Sequence, residues 1–195
     1  MMLIQIDPSL ENPTKFSKAL YPWLIHQHSL TEKLKTESGE AKLTLLSQAW
    51  TKPNWWERYV LGLNEEVMHR EIIMSSRQHP CWYARTIIPQ SSYNHAPTFW
   101  ESLGDQPLGN LIFNNPKIER TQILNYQIDK NCLEYHWLPT FLADEAETLD
   151  LRGSVLSLDK QASFCLVEIL LPGLLKATAK TKGVYSKIRT PLKAS

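Results

Sequence analysis

The sequence predicts a single α+β domain built on an antiparallel sheet. Two β-rich runs, Glu66–Ser76 and Cys81–Pro89, flank a short turn-like segment, and two later runs, "SVLSLDK" and "SFCLVEILL", are joined by a tight turn near Asp159–Gln161. Strands joined this closely can only pair antiparallel. The helical segments gather elsewhere, and alternating strand–helix–strand units are missing, which argues against a doubly wound nucleotide fold. The chain has 195 residues, enough for one domain with a substantial core and short for two.

Taken in order, the first third reads helical. "ALYPWLIHQ" places Pro22 where a first helical turn tolerates a missing N–H. In "HSLTEKLKTESG", Ser29 and Glu32 have the spacing of a capping box and Gly39 supplies the stop. "AKLTLLSQAW" alternates well enough for a strand. The Glu66–Ser76 and Cys81–Pro89 runs are rich in β-branched and aromatic residues, with "RQHP" between them read as the turn. "PTFWESLG" and "PLGNLIF" read as two short helices, the second with Pro107 in its first turn. "IERTQILNYQI" is a further strand. The last run, "SFCLVEILLP", is nearly continuous apolar sequence ending at proline, the mark of a strand buried on both faces.

Composition narrows the function classes. A hydrophobic fraction of 43% and a charged fraction of 21% are those of an ordinary soluble domain, and seven tryptophans favour a packed core or an aromatic pocket. A net charge of +1 supplies no global basic field, so no nucleic-acid partner is expected. No run approaches the ~18 apolar residues of a membrane span, and the apolar run in "MMLIQIDPSLENP" is too short for a signal peptide and meets an acid at Asp7. Cys81, Cys132 and Cys165 form no CxxC pair and no even disulfide framework. A cytoplasmic, reduced, monomeric protein is the expectation. Charge is uneven along the chain: "ADEAETLD" carries four acids, and residues 176–195 carry six bases and no acid. The domain is therefore drawn at residues 1–175, with 176–195 a basic, poorly ordered tail suited at most to weak membrane contact.

Several motifs fail on inspection. "GDQPLGN" has the outer glycine spacing of a phosphate loop, but Asn110-Leu111 stand where Lys-Ser/Thr is required. The histidines give no HExxH and no zinc spacing, no G-x-S-x-G elbow occurs, and Cys81 and Cys165 lie inside apparent strands. No metal and no cofactor are expected.

Two charges interrupt apolar strands. Glu168 lies on one face of its strand with Phe164, Leu166 and Leu170, and Arg85 shares a face with Cys81, Tyr83 and Ile87. An ionised carboxylate removed from water costs several kcal/mol unless it is paired. Either the two residues pair inside the core, or both line a pocket in which Arg85 grips a ligand carboxylate and Glu168 meets a hydroxyl. Two helix starts, Ser29-Leu30 and Gln106-Pro107-Leu108, offer unpaired amides suited to the same carboxylate.

The segments "HSLTEKLK", "HREIIM", "WYARTIIP", "LGDQPLGNLIF" and "RGSVLSLDKQASFCLVEILLP" resemble, in order, those of the chorismate pyruvate-lyase family, which begins ubiquinone biosynthesis in many bacteria. The resemblance runs roughly from Pro22 to Pro172. It implies a six-stranded antiparallel sheet, a ligand site shut beneath helical flaps, and cofactor-free conversion of chorismate to 4-hydroxybenzoate and pyruvate. By the same resemblance Arg85 and the Leu30 and Leu108 amides bind the product carboxylate, and Glu168 meets the ring hydroxyl. Arg70, Arg120 and Arg152 are the candidates for chorismate's second carboxylate. The acidic segment before R-G-S and the extended tail depart from the family pattern. The alternative is a non-catalytic binder of 4-hydroxybenzoate or a similar aromatic acid, as a sensor or a carrier.

Overall fold

The computed structural model describes residues 16–104, 106–113, 115–143 and 146–179. Within them, β1 (Lys42–Thr51), β2 (Val67–Ser76), β3 (His79–Pro89), β4 (Ile118–Ile128), β5 (Leu149–Leu158) and β6 (Ala162–Leu170) form one six-stranded sheet in the order β1-β2-β3-β6-β5-β4. Every neighbouring pair is antiparallel. Both tight hairpins turn on two consecutive residues with positive φ, Arg77-Gln78 (49° and 65°) and Asp159-Lys160 (53° and 59°). That geometry matches the right-handed twist of the flanking strands. His79 and Pro80 therefore belong to β3 rather than to the turn, and β5 begins at Leu149, inside the acidic segment.

The helices are short. They are α1 (Tyr21–Leu24), α2 (Leu30–Ser38), α3 (Trp55–Leu61), α4 (Gln90–His95), α5 (Pro97–Glu101), α6 (Leu108–Ile112), α7 (Thr140–Ala143) and α8 (Gly173–Thr178), with a 3-10 helix at Leu133–Trp137. α2 keeps the Ser29 half of its predicted capping box, accepting from the Glu32 N–H, and ends at Gly39 with φ 91°. The complete capping box lies instead at α3, where Asn54 and Glu57 satisfy each other's backbone N–H. Neither α3 nor α4 was expected. Pro107 is the N-cap of α6 rather than a first-turn residue. α8 starts flush against β3: a Cβ on Gly173 would lie 2.0 Å from the Pro80 carbonyl oxygen. Leu174 and Ala177 are buried, so the folded chain continues past residue 175 to Thr178, while the tail from residue 180 lies outside the described residues.

The sheet is buried on both faces, as the continuous apolar strands require. On one face Trp82, Ile88, Phe164 and Leu170 pack beneath α1, α2, α6 and α8. On the other Tyr83, Ile87, Val167 and Ile169 pack against α3, the 3-10 helix and α7. Through β3 from Trp82 and through β6, side chains alternate between these two cores, and the register decides which charges meet.

Candidate active site on one buried face

The β3–β6–β5–β4 register aligns Ala84, Glu168, Arg152 and Asn125 in one row across the helix-covered face. Paired residues in antiparallel strands point the same way, so this row is a floor of side chains. Arg152, 1% exposed, donates from Nη1 to Glu168 Oε2 at 2.7 Å and from Nη2 to the His26 carbonyl at 2.6 Å. Glu168 thus meets a guanidinium from the neighbouring strand. Asp150 lies on the same face one pair further along β5, held by Gln127 at 3.0 Å, and burial raises its carboxyl above the usual range.

The adjacent row contains Arg70, paired with Thr86, which is in turn paired with Leu166. Arg70 is 1% exposed, and its Nη2 donates to the carbonyls of Gly104 (3.1 Å) and Gln106 (2.8 Å), the segment that leads into α6. The starts of α6 and α2 abut: a Cβ on Gly109 would lie 2.7 Å from Ser29 Oγ. Leu30 and Leu108, the first residues of these helices, are both buried. Arg70 thus anchors the segment ahead of α6, whose start lies against that of α2.

Arg120 closes the face on the edge strand. It pairs with Leu156, donates from Nη1 to the Gln27 carbonyl at 2.9 Å, and holds its guanidinium 5.2 Å from the centre of the Phe113 ring. A cleft of about 460 Å³ runs along it, lined also by Ile112, Asn115, Ile118 and Leu156. Burial and the neighbouring Arg152 push the Arg120 pKa down to about 10, with Glu168 opposing them. The same positive field acts on His26, whose pKa is lowered by burial first and then by Lys33 and Arg152. Among the described residues, Arg120 Nε and Nη2, Arg152 Nε, Asn125 Oδ1 and Ser154 Oγ are buried with no hydrogen-bond partner. Native proteins leave few such atoms, and a cluster of them on one face is suited to a polar ligand. Among the described residues no group of three or more His, Cys, Asp or Glu is placed to hold a metal, and no helix is long and apolar enough to cross a membrane.

A family model described as chorismate lyase matches residues 10–176. The chain belongs to the chorismate lyase family. A protein named probable chorismate pyruvate-lyase from Pseudoalteromonas translucida is 30% identical over 161 residues, covering 80% of this chain and 86% of that one. A chorismate pyruvate-lyase from Pectobacterium atrosepticum is 26% identical, covering 58% and 65%. Among solved structures, the effector domain of PhnF from Mycobacterium smegmatis aligns with a TM-score of 0.53 at 16% identity, over 76% of this chain and 91% of that domain. That likeness shows the fold and nothing finer.

Within this lyase-family fold, Arg85 is the correction. Its Cα partner on β6 is Val167, so it projects from the opposite face to Glu168, and the two neither pair nor share a pocket. Arg85 pairs with Glu71 directly across β2, lies 3.7 Å from the fully buried Glu57, and stacks 4.3 Å from the centre of the Trp137 ring. Glu71 also accepts from Tyr83 and Ser47, each at 2.9 Å. Burial works against the Glu71 charge, but Arg85 and these hydrogen bonds outweigh it and hold the carboxyl below its usual value. His69 Nε2 sits 2.7 Å from Glu57 Oε1, off the line of an aligned hydrogen bond. The arginine on the same face of the sheet as Leu30, Leu108 and Glu168 is Arg70, in "HREIIM". Its signal was a charge in a β-rich run, the same signal that singled out Arg85.

Proposed function

We propose that this protein is a chorismate pyruvate-lyase that releases pyruvate from chorismate and leaves 4-hydroxybenzoate. The observation that carries the reading is the layout of one buried face: Arg70 beside the abutting starts of α2 and α6, and Glu168 two strands away. Two strand spacings are about 10 Å, a distance that side chains leaning inward from both sides reduce to the length of a para-substituted ring. In this reading Arg70, with the Leu30 and Leu108 amides, clamps the ring carboxylate, and Glu168 accepts from the hydroxyl at the opposite ring position. Arg152 orients Glu168 through its Nη1–Oε2 hydrogen bond. Arg85 touches no ligand and aligns β2 with β3 from behind.

The chemistry asks little of the protein beyond orientation and electrostatics. The bond between ring carbon 3 and the ether oxygen breaks, with its electrons going to the departing enolpyruvyl group. The proton on carbon 4 leaves, and its electron pair completes the aromatic ring. Protonation of the enolpyruvyl methylene then gives pyruvate, so atoms and charge balance without an external reductant or oxidant. Holding one reactive conformer and stabilising charge on the ether oxygen are the two contributions required. The buried arginines supply the second in a site screened from water. The product is a precursor for quinone synthesis, and the first committed step of ubiquinone formation in the cytoplasm is the assignment the family resemblance favours.

The test is direct. Purified protein is incubated with chorismate and EDTA, and 4-hydroxybenzoate and pyruvate are quantified against a protein-free control. Equimolar products above background are expected. Tight 4-hydroxybenzoate binding without turnover would replace the lyase by a binding protein on the same face.

A further inference from the structure

Chorismate differs from 4-hydroxybenzoate by a second carboxylate, on the enolpyruvyl ether beside the 4-hydroxyl. We infer that Arg120 receives this second carboxylate through its Nε–Nη2 edge, and is the residue that distinguishes substrate from product. The inference rests on the proposed lyase reading for the orientation of the ring.

Three buried-face arginines compete for the role, and their existing partners separate them. Arg70 is on β2, engaged with the carbonyls before α6, on the side assigned to the ring carboxylate. Arg152 has committed Nη1 to Glu168 and Nη2 to His26, which leaves one nitrogen, Nε, without a partner among the described residues. Arg120 uses only Nη1, on Gln27, and keeps two adjacent donors buried without a partner among the described residues. Nε and one Nη of the same guanidinium form the planar fork that matches a carboxylate in bidentate fashion.

Position agrees with this choice. Across the sheet the order is Arg70 on β2, Glu168 on β6, Arg152 on β5 and Arg120 on β4. A ligand with its ring carboxylate at Arg70 and its 4-hydroxyl at Glu168 directs the neighbouring ether substituent onward, toward β5 and β4. Arg120 on that side also borders the cleft of about 460 Å³, with Asn115 and Leu156. Charge agrees as well. Arg70, Arg120 and Arg152 face Glu168 and the Gln127-bound Asp150, a positive surplus that a dianion offsets better than a monoanion. Once pyruvate departs, Arg120 loses its anion, and the remaining product keeps only the Arg70 clamp and the Glu168 contact.

The experiment uses the full chain and two stable aromatic probes that differ only at the end of the ether: 3-(carboxymethoxy)-4-hydroxybenzoate and 3-methoxy-4-hydroxybenzoate. Wild-type protein is expected to bind the dicarboxylate about ten- to a hundredfold more tightly, the range for a charge-assisted pair. Arg120→Gln is expected to abolish that preference while leaving the methoxy ether within about threefold, and to lower kcat/KM for chorismate by a similar ten- to hundredfold factor. Arg120→Lys, which keeps the charge and loses the fork, is expected to restore part of the preference. No preference in the wild-type protein overturns the assignment without any variant, and so does a preference that survives Arg120→Gln. Absence of chorismate turnover in the wild type would sink the lyase reading alone, because the two ethers report on Arg120 by binding.

Discussion

A carboxylate that is 6% exposed and touches a 1% exposed guanidinium has given up most of its hydration, so each partner depends on the other. Glu168 and Arg152 are in that position, and the proposed chemistry uses the carboxylate oxygen that Arg152 leaves available. Glu168→Gln tests this separation. The amide oxygen still accepts from Arg152 Nη1, so the variant should fold and keep its circular dichroism, with a lower melting temperature. The amide is a poorer acceptor for the ring hydroxyl and cannot take up a proton, so turnover should fall by about a hundredfold or more. Pyruvate release under saturating chorismate is the readout; an unchanged rate would reduce Glu168 to the core partner of Arg152.

At the scale of elements, much of the fold was readable because strands and caps announce themselves locally. β4 was predicted at its observed bounds, and α2 was predicted from Ser29 to Gly39, because these signals lie within a few residues of one another. The faces within each strand were readable for the same reason. What was not readable is which faces coincide, since register is a property of two strands. Setting Ala84 rather than Arg85 opposite Glu168 moves Arg85 to the other core, and a shift of one residue would reverse it. A second hidden feature is the contact between α2 and α6, far apart in sequence. Gly109 is small because Ser29 is there: an added Cβ would stand 2.7 Å from Ser29 Oγ and 3.4 Å from Ser29 Cβ. In Gly109→Ala the serine must either rotate, losing its bond to the Glu32 N–H at about 1 kcal/mol, or push the helix starts apart. Both disturb the Leu30 and Leu108 amides together. Affinity for 4-hydroxybenzoate should weaken by roughly fivefold to tenfold, about 1–1.4 kcal/mol, as titration calorimetry would detect; unchanged affinity would remove these amides from the site.

For the whole molecule, the sheet works as a partition between two buried polar systems with different tasks. On one side Arg120, Arg152, Asn125 and Ser154 keep buried hydrogen-bonding atoms without a partner among the described residues, beside the Arg152–Glu168 pair; on the other Arg85, Glu71 and Tyr83 form a bonded cluster next to the buried Glu57. His69 and Glu71, which belong to the second system, flank Arg70 on β2, so the back face fixes the strand that carries the proposed carboxylate clamp. The two roles separate under ligand-linked stability. A ligand at a hundredfold its Kd adds about 2.7 kcal/mol, or roughly 5–10 °C in melting temperature for a chain of this size. Arg85→Ala strands buried carboxylates and should cost about 3 kcal/mol, yet its front face is intact, so saturating 4-hydroxybenzoate should still raise its melting temperature. Arg70→Ala removes the clamp, and the same concentration of 4-hydroxybenzoate should give almost no rise. Thermal melts of both variants with and without 4-hydroxybenzoate decide the matter: a rise in Arg70→Ala together with none in Arg85→Ala would return the ligand to the Arg85 face and overturn the arrangement proposed for this sheet.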